Sequence, residues 1–238
     1  MKGIILAGGN GTRLYPVTKV TSKQLLPVYD KPMIFYPLQT LIGAGITEIL
    51  IITAPERAGA FLDLLGSGSS LGARLTFEVQ DKPDGLPQAF VLGANFIGND
   101  SVALILGDNI YEDSFFEAVK KFKEGCHIFA KKVSDPERFG VVKLDASNKV
   151  VKIQEKPKEF ISDLAITGFY LYDNNIVEIA KNLKVGSRGE TEITDTHNWY
   201  LERKKLEVTV IEKEWIDAGT FDALAKATVW AMNKSKMK

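Results

Sequence analysis

The chain has one cysteine, Cys126, and two histidines, His127 and His197, among its 238 residues. A lone thiol cannot close an internal disulfide, and so sparse a set of thiol and imidazole ligands offers no zinc site. A reducing compartment, the cytoplasm, is the expectation. Long apolar runs are missing as well. Ile4 to Ala7 is only four residues long, too short for the apolar core of a signal peptide. No later run approaches the roughly 20 residues that span a bilayer without meeting charges or turn residues. There is no excess of charge either: 30 basic residues balance 30 acidic ones. Such a chain has no general positive field for a nucleic-acid polymer, although a local basic pocket for phosphate remains compatible. No Ser-His-Asp or Cys-His signature for a nucleophilic enzyme is present. No membrane and no nucleic-acid polymer are therefore expected as partners.

What is present is ordinary globular material, 45% hydrophobic and 25% charged, enough for a substantial core. Short apolar runs alternate with longer amphipathic ones, which predicts βαβ units and a mainly parallel sheet. The runs Gly3–Ala7, Glu48–Ala54, Leu75–Gln80 and Val102–Leu106 predict strands. Helices are predicted near Met33–Ala44, Ala58–Leu65 and Pro87–Phe96. Ser114-Phe-Phe-Glu117 has the form of a capping box opening a helix that ends near Gly125. The strands His127–Val133, Val141–Asp145, Val150–Gln154 and Thr167–Tyr172 then follow without helices between them, so a β-rich portion is inserted and the sheet is mixed. Helices at Ile176–Asn182 and Glu192–Lys204, a strand at Glu207–Ile211 and a helix at Phe221–Met232, fraying into the lysine-bearing tail, complete the chain. Without an internal repeat or a linker, residues 1–238 are expected to be one domain.

The first strand runs into Gly8-Gly9-Asn10-Gly11-Thr12-Arg13. Glycines let backbone N–H groups approach a phosphate, and an arginine adds charge-assisted hydrogen bonds. A dinucleotide fingerprint would need Gly or Ala where Leu14 stands, and a Walker loop would need Gly-Lys-Ser/Thr. A nucleotide site of a third kind is left. Lys23, ten residues on, is a compact point charge suited to a triphosphate, although a lysine taken alone is more often solvated.

At this point Leu6-Ala-Gly-Gly-Asn-Gly-Thr-Arg-Leu14, followed by Lys23-Gln-Leu-Leu-Pro27, resembles the signature of the sugar nucleotidyltransferase family. The resemblance continues through Gln80-Asp-Lys-Pro-Asp-Gly85, Leu106-Gly-Asp-Asn-Ile110, Asp135-Pro-Glu-Arg-Phe-Gly-Val-Val142 and Glu155-Lys-Pro157. It ends with Arg188-Gly-Glu-Thr-Glu-Ile-Thr-Asp195 and Trp215-Ile-Asp-Ala-Gly-Thr220. The resemblance implies a doubly wound, three-layer α/β sandwich with a mixed, mainly parallel sheet. Its nucleotide-binding half would lie at about residues 1–125 and its sugar-phosphate-binding half at about 126–238. It also implies a Mg²⁺-dependent reaction of a sugar 1-phosphate, glucose 1-phosphate, with a pyrimidine triphosphate, dTTP, in a homo-oligomer.

Residue roles follow from the same resemblance. Arg13, Lys23, Asp108, Lys156 and Asp217 are expected to carry the reaction. Leu6, Gly8, Gly9, Gly11, Thr12, Arg13, Lys23 and Gln24 would surround the nucleotide, with Gln80 and Gly85 reading the pyrimidine edge. Asp108 and Asp217 would hold the metal. Gly140, Glu155, Lys156, Ile166, Thr167, Gly168 and Arg188 would form the sugar-phosphate site. Taken residue by residue, blander readings stay open: a helix-cap aspartate at 108, a strand-end glutamine at 80, an exposed charged turn at 155–156. The two histidines, Cys126 and the three tryptophans are read as structural.

Two departures stand out. Phe139 occupies a position where many relatives have tyrosine, and the sequence stops soon after the last helix, as a short form of the family would. The rival functions are a uridylyltransferase using UTP and, less favoured, a guanylyltransferase. A sugar-nucleotide sensor without catalysis would have no need of the metal carboxylates. A nicotinamide-dependent oxidoreductase is disfavoured by the broken glycine fingerprint.

Overall fold

A computed structural model describes residues 1–9, 11–186 and 189–236. Among them the strands, in chain order, are β1 (Lys2–Ala7), β2 (Pro27–Val28), β3 (Lys31–Pro32), β4 (Glu48–Thr53), β5 (Arg74–Val79), β6 (Val102–Leu106), β7 (Asn109–Tyr111), β8 (Cys126–Lys132), β9 (Gly140–Leu144), β10 (Val150–Glu155), β11 (Leu164–Tyr172), β12 (Leu206–Val210) and β13 (Trp215–Asp217). The α-helices are α1 (Phe35–Gly43), α2 (Ala58–Leu65), α3 (Gln88–Leu92), α4 (Ala94–Ile97), α5 (Phe116–Lys121), α6 (Ile176–Lys181), α7 (Ile193–Glu202) and α8 (Phe221–Lys236).

These elements form two compact units, each built from separated stretches of chain. A glycine-loop unit gathers Gly3–Lys82, Ile105–Glu117 and Lys213–Lys238. A hairpin unit gathers Met1–Lys2, Pro83–Leu104 and Ala118–Glu212.

In the glycine-loop unit β1 pairs with β4 and β4 with β5, all parallel, with Ile4 opposite Leu50 and Ile51 opposite Phe77. β4 reads as a near-continuous apolar run because both of its faces are covered, and Ile49, Leu50, Ile51 and Ile52 have almost no exposed surface. β7 and β13 add a short antiparallel ribbon with Ile110 opposite Ile216. Those two isoleucines enter a cluster with Val28, Met33 and Tyr36 and with Ala227 and Ala231 of α8. Burying each is worth about 1.5–3 kcal/mol. That burial is what returns the C-terminal segment to the end of β6.

In the hairpin unit the long strand β11 pairs antiparallel with β8, and β10 with β9, while β12 runs parallel to β8. β11 shifts register between Ile166 and Tyr170. Its core side is aromatic, with Phe129 and Phe169 stacked at 5.4 Å and Phe90 of α3 edge-on to Tyr172 at 5.1 Å. Asp173 closes the end of β11, accepting from the Tyr200 hydroxyl at 2.7 Å and the Gly125 N–H at 2.8 Å.

The major strands and helices lie where periodicity predicts them, and four details differ. The helix expected over Pro87–Phe96 breaks at Gly93 into α3 and α4, at the one glycine in that stretch, where helix propensity is low. The helix after Ser114 stops at Lys121 instead of running towards Gly125. At its start the Ser114 hydroxyl accepts from the Phe116 N–H at 3.5 Å. The last helix continues to Lys236 where fraying was expected after Met232. The ribbons β2–β3 and β7–β13 had no signal, because strands of two or three residues are too short to show a period.

Candidate active site

β1 delivers its backbone straight into Gly8 and Gly9. A Cβ on Gly8 would stand 2.4 Å from the Gln80 Oε1, so the buried Gln80 amide lies flush against the loop. Gln80 is itself held at the end of β5, where its N–H donates to the Thr53 carbonyl at 2.9 Å. Gly11 adopts φ 60, a left-handed conformation that glycine accepts without strain. Its carbonyl accepts from the Thr18 hydroxyl at 2.9 Å and from the Leu14 N–H at 2.9 Å. These bonds fold the loop into a single turn carrying Thr12 and Arg13, both exposed. Leu6, half-buried, offers its carbonyl to the Gly107 N–H at 3.0 Å, which sets the end of β6 beside the loop. Asn10 lies outside the described residues.

Asp108 follows directly. Its side chain is 8% exposed and ion-paired with Lys23, whose side chain is 15% exposed. Burial alone would raise the Asp108 carboxyl, but the Lys23 ammonium and hydrogen bonds from Lys23 and Asn109 outweigh it and hold the group below the usual carboxylate range. Asn109 is itself oriented. Its side-chain carbonyl accepts from the Trp215 indole at 2.7 Å and the Tyr111 hydroxyl at 3.3 Å. Its amide nitrogen is thereby turned to donate to Asp108 Oδ1 at 3.2 Å. Gln24 is buried, accepts from the Ser22 hydroxyl at 2.5 Å, and packs on Gly107, where a Cβ would sit 2.9 Å from the Gln24 Cγ.

The β7–β13 ribbon brings in the second carboxylate. Asp217 pairs with Asn109, and the next residue, Ala218, donates its N–H to the Asp108 carbonyl at 2.9 Å. Two aspartates 109 positions apart in sequence therefore occupy neighbouring ladder positions. Gly219 sits against both Arg13 and Asp217: a Cβ there would lie 2.7 Å from an Arg13 guanidinium nitrogen and 3.0 Å from Asp217 Oδ1. Each aspartate thus has a cationic side chain beside it, Lys23 for Asp108 and Arg13 for Asp217. No group of three or more acidic, histidine or cysteine side chains placed to hold a metal occurs among the described residues. A pair of carboxylates is nevertheless the donor set that Mg²⁺ ordinarily takes when phosphate oxygens and water complete its shell.

The hairpin unit assembles the other predicted residues. Gly140 opposes Glu155 across β9 and β10. A Cβ on Gly140 would meet Thr194 Cγ2 at 2.8 Å, Glu155 Oε2 at 3.1 Å and Ile166 Cδ1 at 3.7 Å. Gly140, Glu155 and Ile166 are brought together, and Thr194 joins them. Thr167 is placed differently. It has no exposed surface, and its hydroxyl donates to the Phe129 carbonyl at 3.0 Å, so its side chain ties β11 to β8. Gly168 is buried in the same strand. Lys156 is exposed and stands at φ 37, a left-handed conformation that costs a lysine about 1–2 kcal/mol. Its N–H donates to the Phe139 carbonyl at 2.9 Å, which holds the turn at the end of β10. An open depression of about 750 Å³ lies here, lined by Glu155, Lys156, Lys143, Lys152 and Glu192 among others. Arg188 lies outside the described residues.

Gly85 also belongs to the hairpin unit. At φ 108 it passes so close to Thr191 that a Cβ would meet the Thr191 carbonyl oxygen at 2.0 Å. The glycine is therefore required by close backbone approach, whatever its carbonyl and N–H do for a ligand. Asn109, Thr191, Thr194 and Gly219 lie inside the motifs that carry the family resemblance, but nothing local in the sequence separates them from their neighbours. Their importance comes from what they touch.

The family model described as nucleotidyl transferase matches residues 2–233. The chain is 54% identical over 233 residues to a glucose-1-phosphate thymidylyltransferase of Neisseria gonorrhoeae, covering 95% of this chain and 81% of that protein. It is 52% identical over 232 residues to the Mycobacterium tuberculosis (H37Rv) protein of the same name, with the same coverage. A crystal structure of a Bacillus anthracis protein assigned as a glucose-1-phosphate thymidylyltransferase, in complex with sucrose, superposes with a TM-score of 0.92 at 48% identity. It covers 97% of this chain and 95% of that one. A UDP-glucose pyrophosphorylase bound to UDP-glucose superposes with a TM-score of 0.87 over 98% of each chain, but at 24% identity it shares the fold alone. These likenesses bear out the expected α/β fold.

Proposed function

This chain belongs to the nucleotidyl transferase family, and from that premise we propose that it joins glucose 1-phosphate to dTTP, forming dTDP-glucose and releasing pyrophosphate. A phosphate oxygen of the sugar 1-phosphate attacks the α-phosphorus, and the bond from that phosphorus to the β-phosphate oxygen breaks in line. The attacking phosphate has a second pKa near 6 and already carries most of its charge at pH 7. It therefore needs neither a base nor an enzyme nucleophile, consistent with the lack of such a signature. The protein's work is to hold two polyanions together and to offset the charge that moves to the leaving group.

The observation that carries this reading is the Asp108–Asp217 ladder placement with Lys23 and Arg13 beside it. A divalent cation, Mg²⁺ in this proposal, would be held by those two carboxylates and would supply charge neutralisation at the α-phosphate. Lys23, ion-paired with Asp108, and Arg13, beside Asp217 at Gly219, are then placed to turn to the phosphates. The Gly8–Gly11 turn supplies backbone donors, and the Gln80 amide and the Gly85 backbone read the pyrimidine edge. Glu155 takes sugar hydroxyls, Lys156 takes the sugar phosphate, and Arg188 adds a second phosphate contact. Homo-oligomeric assembly and a cytoplasmic location are part of the same proposal, supported by the family resemblance. No helix among the described residues is long and apolar enough to cross a membrane.

Pyrophosphate release measured over a grid of nucleoside triphosphates and sugar 1-phosphates tests the reading. The expected result is highest activity with dTTP and glucose 1-phosphate. UTP should be used less well, since one methyl group is worth about 1–3 kcal/mol. Purine triphosphates should be poor, and EDTA should abolish activity until Mg²⁺ is restored. Preference for ATP or GTP, or undiminished turnover in EDTA, would overturn it.

A further inference from the structure

Thr191 holds two loops that the proposed function assigns to different substrates. Its N–H and its hydroxyl both donate to the Asp84 carbonyl, at 2.9 and 2.8 Å, and it forms a parallel bridge with Gly85. The Asp84–Gly85 turn is braced from its other side. The Gln88 side chain accepts from the Asp84 N–H at 3.1 Å and donates to the Asp84 carboxylate at 3.2 Å. On the C-terminal side of Thr191, the chain enters α7 two residues later. The first turn of that helix carries Thr194, which is 2% exposed and packed on Gly140 beside the Glu155 carboxylate. One threonine therefore lies between the turn assigned to the nucleotide base and the helix end that forms a wall of the sugar site.

We propose that Thr191 is a positioning residue that couples the two substrate sites, so that a nucleotide contacting Gly85 orders the first turn of α7 and tightens binding of the sugar phosphate. This rests on the function proposed above. The physical link is a contiguous set of bonds and packed groups: Gly85 and Asp84 to Thr191, Thr191 along the backbone to Thr194, and Thr194 to Gly140 and Glu155. Coupling of this kind is a free energy shared by the two ligands, so it is measured as a ratio of affinities and is reciprocal. Two hydrogen bonds on one carbonyl oxygen make the Thr191 hydroxyl the separable part, because the backbone bond and the bridge survive its removal.

The test is a binding cycle. Calorimetry would measure glucose 1-phosphate affinity with and without α,β-methylene dTTP, which binds as a triphosphate but cannot be cleaved at the reacting bond. The native protein should bind the sugar phosphate about tenfold or more tightly when the analogue is present, within the usual range of such couplings. In Thr191→Val that ratio should fall by about fivefold, the scale of one hydrogen bond, while each ligand alone binds nearly as before. Thr191→Ser, which keeps the hydroxyl, should restore it. A native ratio near one, an unchanged ratio in Thr191→Val, or a loss that Thr191→Ser does not rescue would each overturn the proposal. Should Thr191→Val fail to fold, Thr191→Ala reads the same hydroxyl without the added methyl. Failure of the native protein to bind either ligand would instead sink the proposed function, and the coupling with it.

Discussion

Lys23 and Asp108 form an ion pair in the glycine-loop unit with side chains only 15% and 8% exposed, whereas Lys156 in the hairpin unit stands exposed on a backbone turned to φ 37. The first unit nearly buries this pair and sets Arg13 beside the half-buried Asp217. The second places its charged groups at the open end of an antiparallel hairpin and sets their direction through the backbone. A ligand or metal that takes the Asp108 carboxylate must compete with the Lys23 ammonium already paired to it. A ligand entering the second meets side chains whose positions depend on one strained residue. In the proposed function these are the triphosphate–metal site and the sugar-phosphate site respectively.

The comparison breaks most visibly at Asp108. Asp108→Asn should lower turnover about a thousandfold, roughly 4 kcal/mol of barrier. It should also lower the melting temperature, because a nearly buried Lys23 is left without its counter-charge. Asp217→Asn should lower turnover sharply too, with a smaller stability loss, since Asp217 is only half-buried. Steady-state kinetics with thermal melts decide this, and equal stability losses would erase the distinction drawn between the two carboxylates.

Two glycines sharpen it further. Gly85→Ala would drive a Cβ into the Thr191 carbonyl oxygen at 2.0 Å, so a stability loss of about 3 kcal/mol or more is expected in urea unfolding. Gly219→Ala meets only the ends of the Arg13 and Asp217 side chains, which can move. It should leave unfolding nearly unchanged while reducing turnover by about tenfold or more through displacement of those two groups.

In the hairpin unit, Lys156→Ala should raise the Michaelis constant for sugar phosphate by about 10- to 100-fold, corresponding to roughly 1.5–3 kcal/mol for a charge-assisted contact, and leave that for dTTP nearly alone. Kinetics in which only the nucleotide constant moves would put Lys156 on the wrong substrate.

The smallest effect concerns acid stability. His197 is fully buried against the rings of Tyr170 and Tyr172, at 5.2 and 6.0 Å, and burial pushes its pKa down from 6.5 to about 3. Between those values the unfolded chain binds the extra proton, so stability should fall as pH drops below 6.5, by up to about 1.4 kcal/mol per pH unit. Asp108, with its depressed carboxyl pKa, acts only lower. Its contribution is present above the unfolded value of about 3.9 and is lost as pH falls through its folded one. Denaturation curves at pH 4–6 should therefore flatten in His197→Phe, and an unchanged slope would remove His197 as the cause.

Much of this was legible without coordinates. The apolar runs at Ile4–Ala7, Ile49–Thr53 and Val102–Leu106 define their strands because burial on both faces demands uninterrupted hydrophobicity. Helix α2 falls at its expected bounds, Ala58–Leu65. The resemblance carried by the motifs singled out Arg13, Lys23, Asp108, Glu155 and Lys156 as candidates, and their roles stay part of the proposed function. Thr167 shows what the resemblance alone does not reveal: its hydroxyl is bonded to the backbone carbonyl of Phe129 in the neighbouring strand.

Sequence alone, then, determined the fold class, the glycine turn and the chemical types available, because periodicity, backbone freedom and charge are local properties. Tertiary structure decided which of those groups meet. Asp217 comes opposite Asn109, next to Asp108, because Ile110 and Ile216 bury together under α8, and burial between segments about a hundred residues apart leaves no local signature. The pairing of Asp108 with Lys23, the role of Asn109, and the need for glycine at 85 are likewise set by atoms supplied from distant parts of the chain.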